Sequence, residues 1–418
     1  MEASTTTELH LKHIALQDVR EGMFLADVFD AKGQLLLSAN QPVQSAAQIQ
    51  KLQQRGVTSV YINISKGRDV DSEQEGLCTP PLPTPEVMAR LKREQAYYDE
   101  LPRARHAHQH AATTTREMLK AVRLGKAFST GEVHRSSEGV VQSVMRNPDA
   151  LVSLSQIKGY DEYTFTHSVN VGILLTSLAH EMGYTQEQLM AISMGGMLHD
   201  IGKMRVPEVI LNKPGKLTEQ EFALMQRHPE FGLGLMEEKK NIAELSRAVI
   251  IQHHERFNGR GYPNRLAAQQ IQEVGLMSAV ADVYDALTSD RVYKQAWTPQ
   301  RALALIFQGC DEDYSRMVVE RFTRHLGVYP VGSFVRLLSG EMGVVTRVDR
   351  GNLLNPTLLL LFDGQGKRLA NPNERDLAAP APSGAEAGWK VEISLDPKDF
   401  EVRVADYIQG KIPLAAER

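Results

Sequence analysis

Ligand-type side chains sit where this chain is otherwise most apolar. Six of its 13 histidines fall between residues 160 and 290: His167, His180, His199, His228, His253 and His254. His199-Asp200 closes an apolar helical run (Leu189, Ile192, Met194, Met197, Leu198), and His253-His254-Glu255 closes another (Ile242, Leu245, Val249, Ile250). Asp282 lies inside a third, among Leu276, Ala279, Val280 and Val283. An unpaired charge on a buried face is costly, so groups placed this way need partners, and a metal cluster supplies them.

The donor types narrow the metal. Imidazole and carboxylate without thiolate favour iron or manganese over a structural zinc. A helix-end His-Asp pair can give its imidazole to one ion and a bridging carboxylate to two. Adjacent His253 and His254 point about 100° apart on a helix, so they suit two ions better than one. Two ions roughly 3.5–4 Å apart generate a bridging hydroxide and neutralise phosphate oxygens during in-line attack.

Five segments divide the 418 residues. Residues 1–65 read as an α+β module: alternating apolar positions from Ile14 to Phe29, a turn at Ala31-Lys32-Gly33, a helix over Ala46–Arg55 stopped by Gly56, and a strand over Val57–Ile64. The module holds no nucleophile–base pair. Residues 66–85 form a linker, with Pro80, Pro81, Pro83 and Pro85 favouring an extended spacer. Residues 86–134 are a helical connector. Residues 135–327 carry long helical periods, with capping-box spacings at Thr185/Gln188 and Thr218/Glu221 and a Thr298-Pro299 helix start. Residues 328–418 read as a β extension with strands over 333–338, 342–348, 357–362, 389–395 and 400–405. The expected fold is mainly α: a helical bundle core flanked by a small α+β module and a β tail.

Charge and composition exclude several classes. A net charge of −4 argues against a coat for duplex DNA or RNA. No 18-residue apolar run is present, so no transmembrane helix is expected. MEASTTTELHLKH lacks the basic and apolar regions of a secretory signal, and Cys78 and Cys310 cannot build a disulfide framework. A cytoplasmic protein is the expectation.

The ordered motifs resemble one family. His199-Asp200-Ile201-Gly202-Lys203, then His253-His254-Glu255 and Gly259-Arg260-Gly261-Tyr262-Pro263, resemble the HD-GYP family of bacterial signalling phosphodiesterases. Asp282–Ser289 with Arg291, and His167-Ser168-Val169-Asn170-Val171, look like further motifs of the same family. Arg20-Glu21-Gly22-Met23 resembles a small N-terminal domain of unknown role often fused to it, and Tyr329-Pro330-Val331-Gly332 resembles the β extension that often follows.

The resemblance implies a site. His167, His199, Asp200, His228, His253, His254 and Asp282 would hold two divalent ions, iron or manganese, with Asp200 bridging. Lys203 would meet the scissile phosphate or protonate the departing 3′ oxygen, consistent with the need of an alkoxide leaving group for a nearby acid. Gly261 and Tyr262 would shape the substrate entrance, while Arg291 and Lys294 would grip the non-reacting phosphate. The implied reaction is hydrolysis of cyclic di-GMP to linear pGpG, with onward cleavage to GMP left open, by attack of a metal-bound hydroxide on phosphorus. Two other readings use the same residues: a non-hydrolytic cyclic di-GMP receptor, and an HD hydrolase acting on another nucleotide. The N-terminal module would pair copies or dock a protein partner.

Three positions depart from the family pattern. Tyr163 stands where some members carry a glutamate for a third metal, and Glu162 is one position off, which implies two metals rather than three. Asn258 replaces a usual Asp; its turn-making should survive. Arg265–Gln270 lacks the glycines common after the proline. Outside the motifs, His106, His108 and His110 read as a solvated helix face. Asp285 reads equally as a support of a ligand histidine or as a backbone acceptor, whereas Glu255, next to two ligand histidines, reads rather as a support. Gly195-Gly196 reads as a close helix contact.

Overall fold

The structure, a computed structural model, describes residues 11–25, 28–29, 35–37, 41–43, 45–54, 57, 59–64, 68, 85–156, 163–237, 242–290, 295–379 and 386–408. Backbone proximity divides the chain into two compact units: residues 1–95 with 359–361 and 369–375, and the remainder.

In the N-terminal segment the strands are β1 (Leu11–Ala15), β2 (Phe24–Leu25), β3 (Val28–Phe29), β4 (Leu35–Leu37), β5 (Gln41–Pro42) and, after helix α1 (Ala46–Gln54), β6 (Ser59–Asn63). Four of them form an antiparallel sheet in the order β1-β6-β2-β5, with Ile14 opposite Val60, and β3 pairs with β4. Alternation along the strands sends Ile14, Leu25, Val60 and Ile62 to one core, where Leu52 of α1 joins them. The expected turn at 31–33, the cap at Gly56 and most of the linker lie outside the described residues.

The second part is helical: α2 (Pro85–Arg123), α3 (Thr130–Arg146), α4 (Pro148–Gln156), α5 (Tyr163–Glu181), α6 (Gln186–Leu198), α7 (Glu208–Leu211), α8 (Glu219–Met225), α9 (His228–Glu237), α10 (Glu244–Gln252), α11 (Glu273–Thr288), α12 (Pro299–Gln308) and α13 (Arg316–Leu326). Both capping boxes form: Thr185 and Gln188 bond reciprocally at the start of α6, and Thr218 and Glu221 do so at α8.

Two apolar clusters organise these helices. One gathers Leu174, Leu178, Ile192, Val249, Val280, Tyr284 and Phe322; the other gathers Leu119, Val140, Leu151, Ile173, Met197 and Ile250. α5 contributes to both and is buried on every side from His167 to Ala179, as expected of a helix apolar all round. α6 is wedged between α5 and α10 because its glycines lack side chains. A Cβ on Gly196 would stand 2.5 Å from the Gly172 Cα, and one on Gly195 2.9 Å from the Val249 Cβ. The close packing expected of this glycine pair is what brings the end of α6 beside α5 and α10.

The C-terminal strands are β7 (Phe334–Leu337), β8 (Met342–Arg347), β9 (Thr357–Phe362), β10 (Arg368–Asp376) and β11 (Val391–Leu395), in the order β10-β9-β8-β7-β11. Residues 400–405 are not a strand: a 3-10 turn ends at Phe400 and helix α14 (Val404–Ile408) follows. β10 is an additional strand that alternation did not reveal. It is polar and partly exposed, and it carries Pro372, which an edge position tolerates. Among the described residues no helix is long and apolar enough to cross a membrane.

Candidate metal centre

The fold gathers His167 from α5, His199-Asp200 from the end of α6, His228 from the first turn of α9, His253-His254 from the end of α10, and Asp282 from the middle of α11. Their ligand atoms fall into two groups: Asp200, His228, His253 and His254 in one, and His167, His199 and Asp282 in the other. Asp200 faces both. Its Oδ2 lies 3.4 Å from His199 Nε2 and 3.7 Å from His167 Nε2, while its Oδ1 lies 3.3 Å from His228 Nε2 and 3.7 Å from His253 Nε2. Asp282 reaches His167 Nε2 at 3.1 Å through Oδ1 and His254 Nδ1 at 3.8 Å through Oδ2.

Local structure fixes the ring orientations. His199 and His253 cap α6 and α10, where the last carbonyls of a helix lack partners. Their Nδ1–H groups donate to Gly196 O at 2.7 Å and Ile250 O at 2.8 Å. His228 Nδ1 likewise donates to Met225 O at 2.8 Å, and His167 Nδ1 to Asp285 Oδ2 at 2.8 Å. With Nδ1 committed to these bonds, each ring turns its Nε2 inward. Asp285 is therefore a support for a cluster histidine, the first of its two expected readings. Glu255, expected as a support, instead takes the other: it accepts backbone N–H groups of Asn264 and Leu266 at 2.8 and 3.0 Å and holds the following loop.

Gly202 makes the arrangement possible. A Cβ there would lie 1.9 Å from His228 O, so the turn after Asp200 lies directly on the backbone that delivers His228.

The protonation pattern suits cation binding. Burial, with neighbouring imidazoles, holds His253 well below the ordinary histidine range, and burial lowers His228 and His254 as well. Burial pushes the Asp200 and Asp282 carboxyls up. Lys203 and His199 around Asp200, and His167 and His254 around Asp282, outweigh it and keep both well below the usual carboxylate value. At His167 burial is likewise outweighed, by Asp282 and Asp285, and its value rises to about 9. His199 Nε2 and Asp200 Oδ1 are buried and make no hydrogen bond. Buried polar atoms left without hydrogen bonds, among uncharged His228, His253 and His254 and charged Asp200 and Asp282, fit divalent cations better than any protein partner present.

Lys203, on the 3-10 turn Ile201–Arg205, places Nζ 2.6 Å from Asp200 Oδ2 and is about a quarter exposed. Tyr262 packs its ring 4.6 Å from that of His254, and burial raises its phenol. Gly261 leaves no room for a side chain: a Cβ would stand 2.3 Å from Arg256 N. Tyr262 and Gly261 border a cavity of about 450 Å³ that Gln226, Arg227, Arg260 and Arg265 also line. Asn258 keeps its turn, accepting Arg260 N–H at 2.9 Å. Where glycines were missing, Arg265 and Ala268 adopt left-handed backbone at φ 57° and 43°. Arg291, Lys294 and Glu162 lie outside the described residues, as does the side chain of Tyr163. Residues 106–110 are not uniformly solvated: His106 and His110 are exposed, whereas His108 is half-buried and faces Asn170.

A buried histidine–aspartate cluster at helix ends, beside a lysine and an arginine-lined cavity, defines a metal-dependent phosphohydrolase of the HD type. The HD domain family matches residues 145–317, and a domain of unknown function, DUF3391, matches residues 11–133. A cyclic di-GMP phosphodiesterase of Pseudomonas aeruginosa is 36% identical over 365 residues, covering 85% of this chain and 86% of its own. The chain belongs to the HD-GYP family of phosphodiesterases. A 3′3′-cGAMP-specific phosphodiesterase of Vibrio cholerae is 35% identical over 163 residues, 39% of this chain and 31% of that one. Among solved structures, the HDG"Y"P protein Bd1817 from Bdellovibrio bacteriovorus aligns over 75% of this chain and 98% of its own, at 18% identity and a TM-score of 0.45.

Proposed function

We propose that this chain hydrolyses cyclic di-GMP to linear pGpG or on to GMP, using two divalent ions, iron or manganese. The observation that carries the binuclear reading is Asp200, whose two carboxylate oxygens face two separate histidine groups. The similarity to the Pseudomonas phosphodiesterase along most of both chains supports the substrate.

His167, His199 and Asp282 would hold one ion, His228, His253 and His254 the other, and Asp200 both. Bound there, such ions acidify a coordinated water and neutralise phosphate oxygens. The remaining chemistry is the protein's. Lys203 carries a proton at Nζ beside Asp200, where it can pass to the departing 3′ oxygen. Tyr262 stays a neutral phenol at the cavity mouth and offers its ring to a base and its O–H to a phosphate. Arg227, Arg260 and Arg265 give the adjoining cavity the charge to receive a second phosphate, and Arg291 and Lys294 are assigned the same task. The reaction is placed in the cytoplasm, and the N-terminal module is assigned to pairing with a second copy or a protein partner.

The test uses protein purified without oxygen. Metal per chain is counted, and products from cyclic di-GMP and from 3′3′-cGAMP are separated by chromatography. About two ions with pGpG or GMP formed, both lost in Asp200→Ala, is the expected result. Turnover of 3′3′-cGAMP alone would select the second reading, which the Vibrio relative favours. Metal and cyclic di-GMP bound without product would make the chain a receptor.

A further inference from the structure

A line of hydrogen bonds leads from the long helix α2 to the cluster. His108 Nε2 lies 3.3 Å from Asn170 Oδ1, Asn170 Nδ2 donates to Asp285 Oδ1 at 3.1 Å, and Asp285 Oδ2 accepts from His167 Nδ1 at 2.8 Å. The polarity of the line is determined. The Asp285 carboxylate only accepts, so Asn170 must present its amide N–H to it, which leaves the amide oxygen for His108. That oxygen only accepts, so His108 must donate from Nε2. Each bond thus selects one rotamer of Asn170, one orientation of Asp285 and one tautomer of His167. Asp285 and Asn170 are buried, and Ser289 Oγ adds a third bond to the carboxylate at 3.3 Å. His108 lies within the segment matched by DUF3391, whereas the line ends on a residue of the HD match.

We propose that His108 and Asn170 are positioning residues for the metal centre, acting through Asp285 to hold the His167 imidazole with Nε2 toward the ion. The proposal rests on the reading of the cluster as a metal site. Without the amide, Asp285 Oδ1 loses this bond and the carboxylate plane, with the His167 ring bonded to it, is held less firmly; without His108, the Asn170 side chain loses the bond that holds its far end.

The experiment measures Mn²⁺ binding directly, by the paramagnetic resonance signal of the free ion, in full-length metal-stripped protein. Asn170→Leu is expected to weaken binding at the tighter site about tenfold or more, the range for partners behind a metal ligand. His108→Leu should weaken it several-fold. His108→Gln, whose amide N–H can reach the same oxygen, should restore it. Thermal melting of the metal-free forms separates this from a fold defect: the two His108 variants should melt alike yet bind differently. If Asn170→Leu fails to fold, the His108 pair still decides. Binding by His108→Leu within about twofold of the parent, or no recovery in His108→Gln, overturns the proposal while leaving the metal site standing. A parent protein that binds no Mn²⁺ overturns both.

Discussion

Arg123 Nη1 donates to the carbonyl oxygen of Val206 at 2.7 Å, and its Nη2 reaches that of Lys203 at 3.4 Å. The last turn of α2 is thereby fastened to the 3-10 turn that follows Asp200 and carries Lys203. Hydrogen bonds from a charged donor contribute about 1.5–3 kcal/mol. Arg123→Ala should lower unfolding free energy by roughly that range in urea titrations, with a fall in kcat as Lys203 loses its support. Arg123→Lys should recover little, because an ammonium lacks the planar fork that spans two carbonyls. Full activity in Arg123→Lys would show that charge alone suffices.

Lys203 has a separable part. It is a quarter exposed and contributes no atom to either histidine group, so its removal should leave metal content near that of the parent. Lys203→Ala is expected to reduce kcat by ~10²–10⁴-fold, the usual range for a lost general acid. An activated substrate with a phenolate leaving group, which needs no proton, should be cut at close to the parental rate. Equal losses on both substrates would assign Lys203 to phosphate binding instead.

Gly202→Ala should be the most damaging methyl group added at any of the described glycines. Its Cβ would fall 1.9 Å from a backbone carbonyl, and backbone cannot swing aside as a flexible side chain does. A loss above about 4 kcal/mol, or failure to fold, is expected. A soluble Gly202→Ala protein with parental melting and metal content would show that α9 can shift without cost.

Glu181 and His325 provide a pH-dependent contribution remote from the cluster. The His325 Nδ1–H donates to Glu181, and His325 Nε2 lies 2.7 Å from Ser177 Oγ, joining α5 to α13. That bond from His325 is the main cause that holds the Glu181 carboxyl below 4.5. A carboxyl lowered in the folded state contributes stability in full above its unfolded value and loses it as pH falls toward the folded one. Glu181→Gln should therefore melt about 2–4 °C below the parent at pH 6, the shift that ~1 kcal/mol produces in a domain of this size. The gap should narrow as pH falls below 4.5. A gap that stays constant through the acid range would assign the deficit to packing rather than charge.

The ends of helices were the most legible part of the sequence. The capping pairs at Thr185 and Thr218 bond as their spacing requires, and the cluster residues could be seen because polar groups closing apolar runs stand out. Gly195-Gly196 was legible for the same reason, a small pair in a run of large side chains. α2 was visible as a helix, but its buried face was not. Ala104, Ala107 and Ala111 beside His108 are buried, yet alanine suits either face of a helix, so nothing marked His108 as inward. Asn170 was hidden in a motif whose histidine explained it already. β10 escaped because an edge strand need not alternate, and residues 400–405 misled because Val402 and Val404 alternate with polar neighbours in a stretch that turns instead.

The cluster draws on α5, α6, α9, α10 and α11, and its ligands run from His167 to Asp282 with whole helices between them. Residues 200–254 hold the whole of one group, but the other, His167, His199 and Asp282, closes only when α5, α6 and α11 have docked. Competence thus arrives at the final step of assembly, all at once, rather than growing as structure accumulates. An ion that bound only the finished site would pull the last docking equilibrium toward completion by mass action, so its scarcity would lower the share of fully assembled chains as well as the share that is loaded.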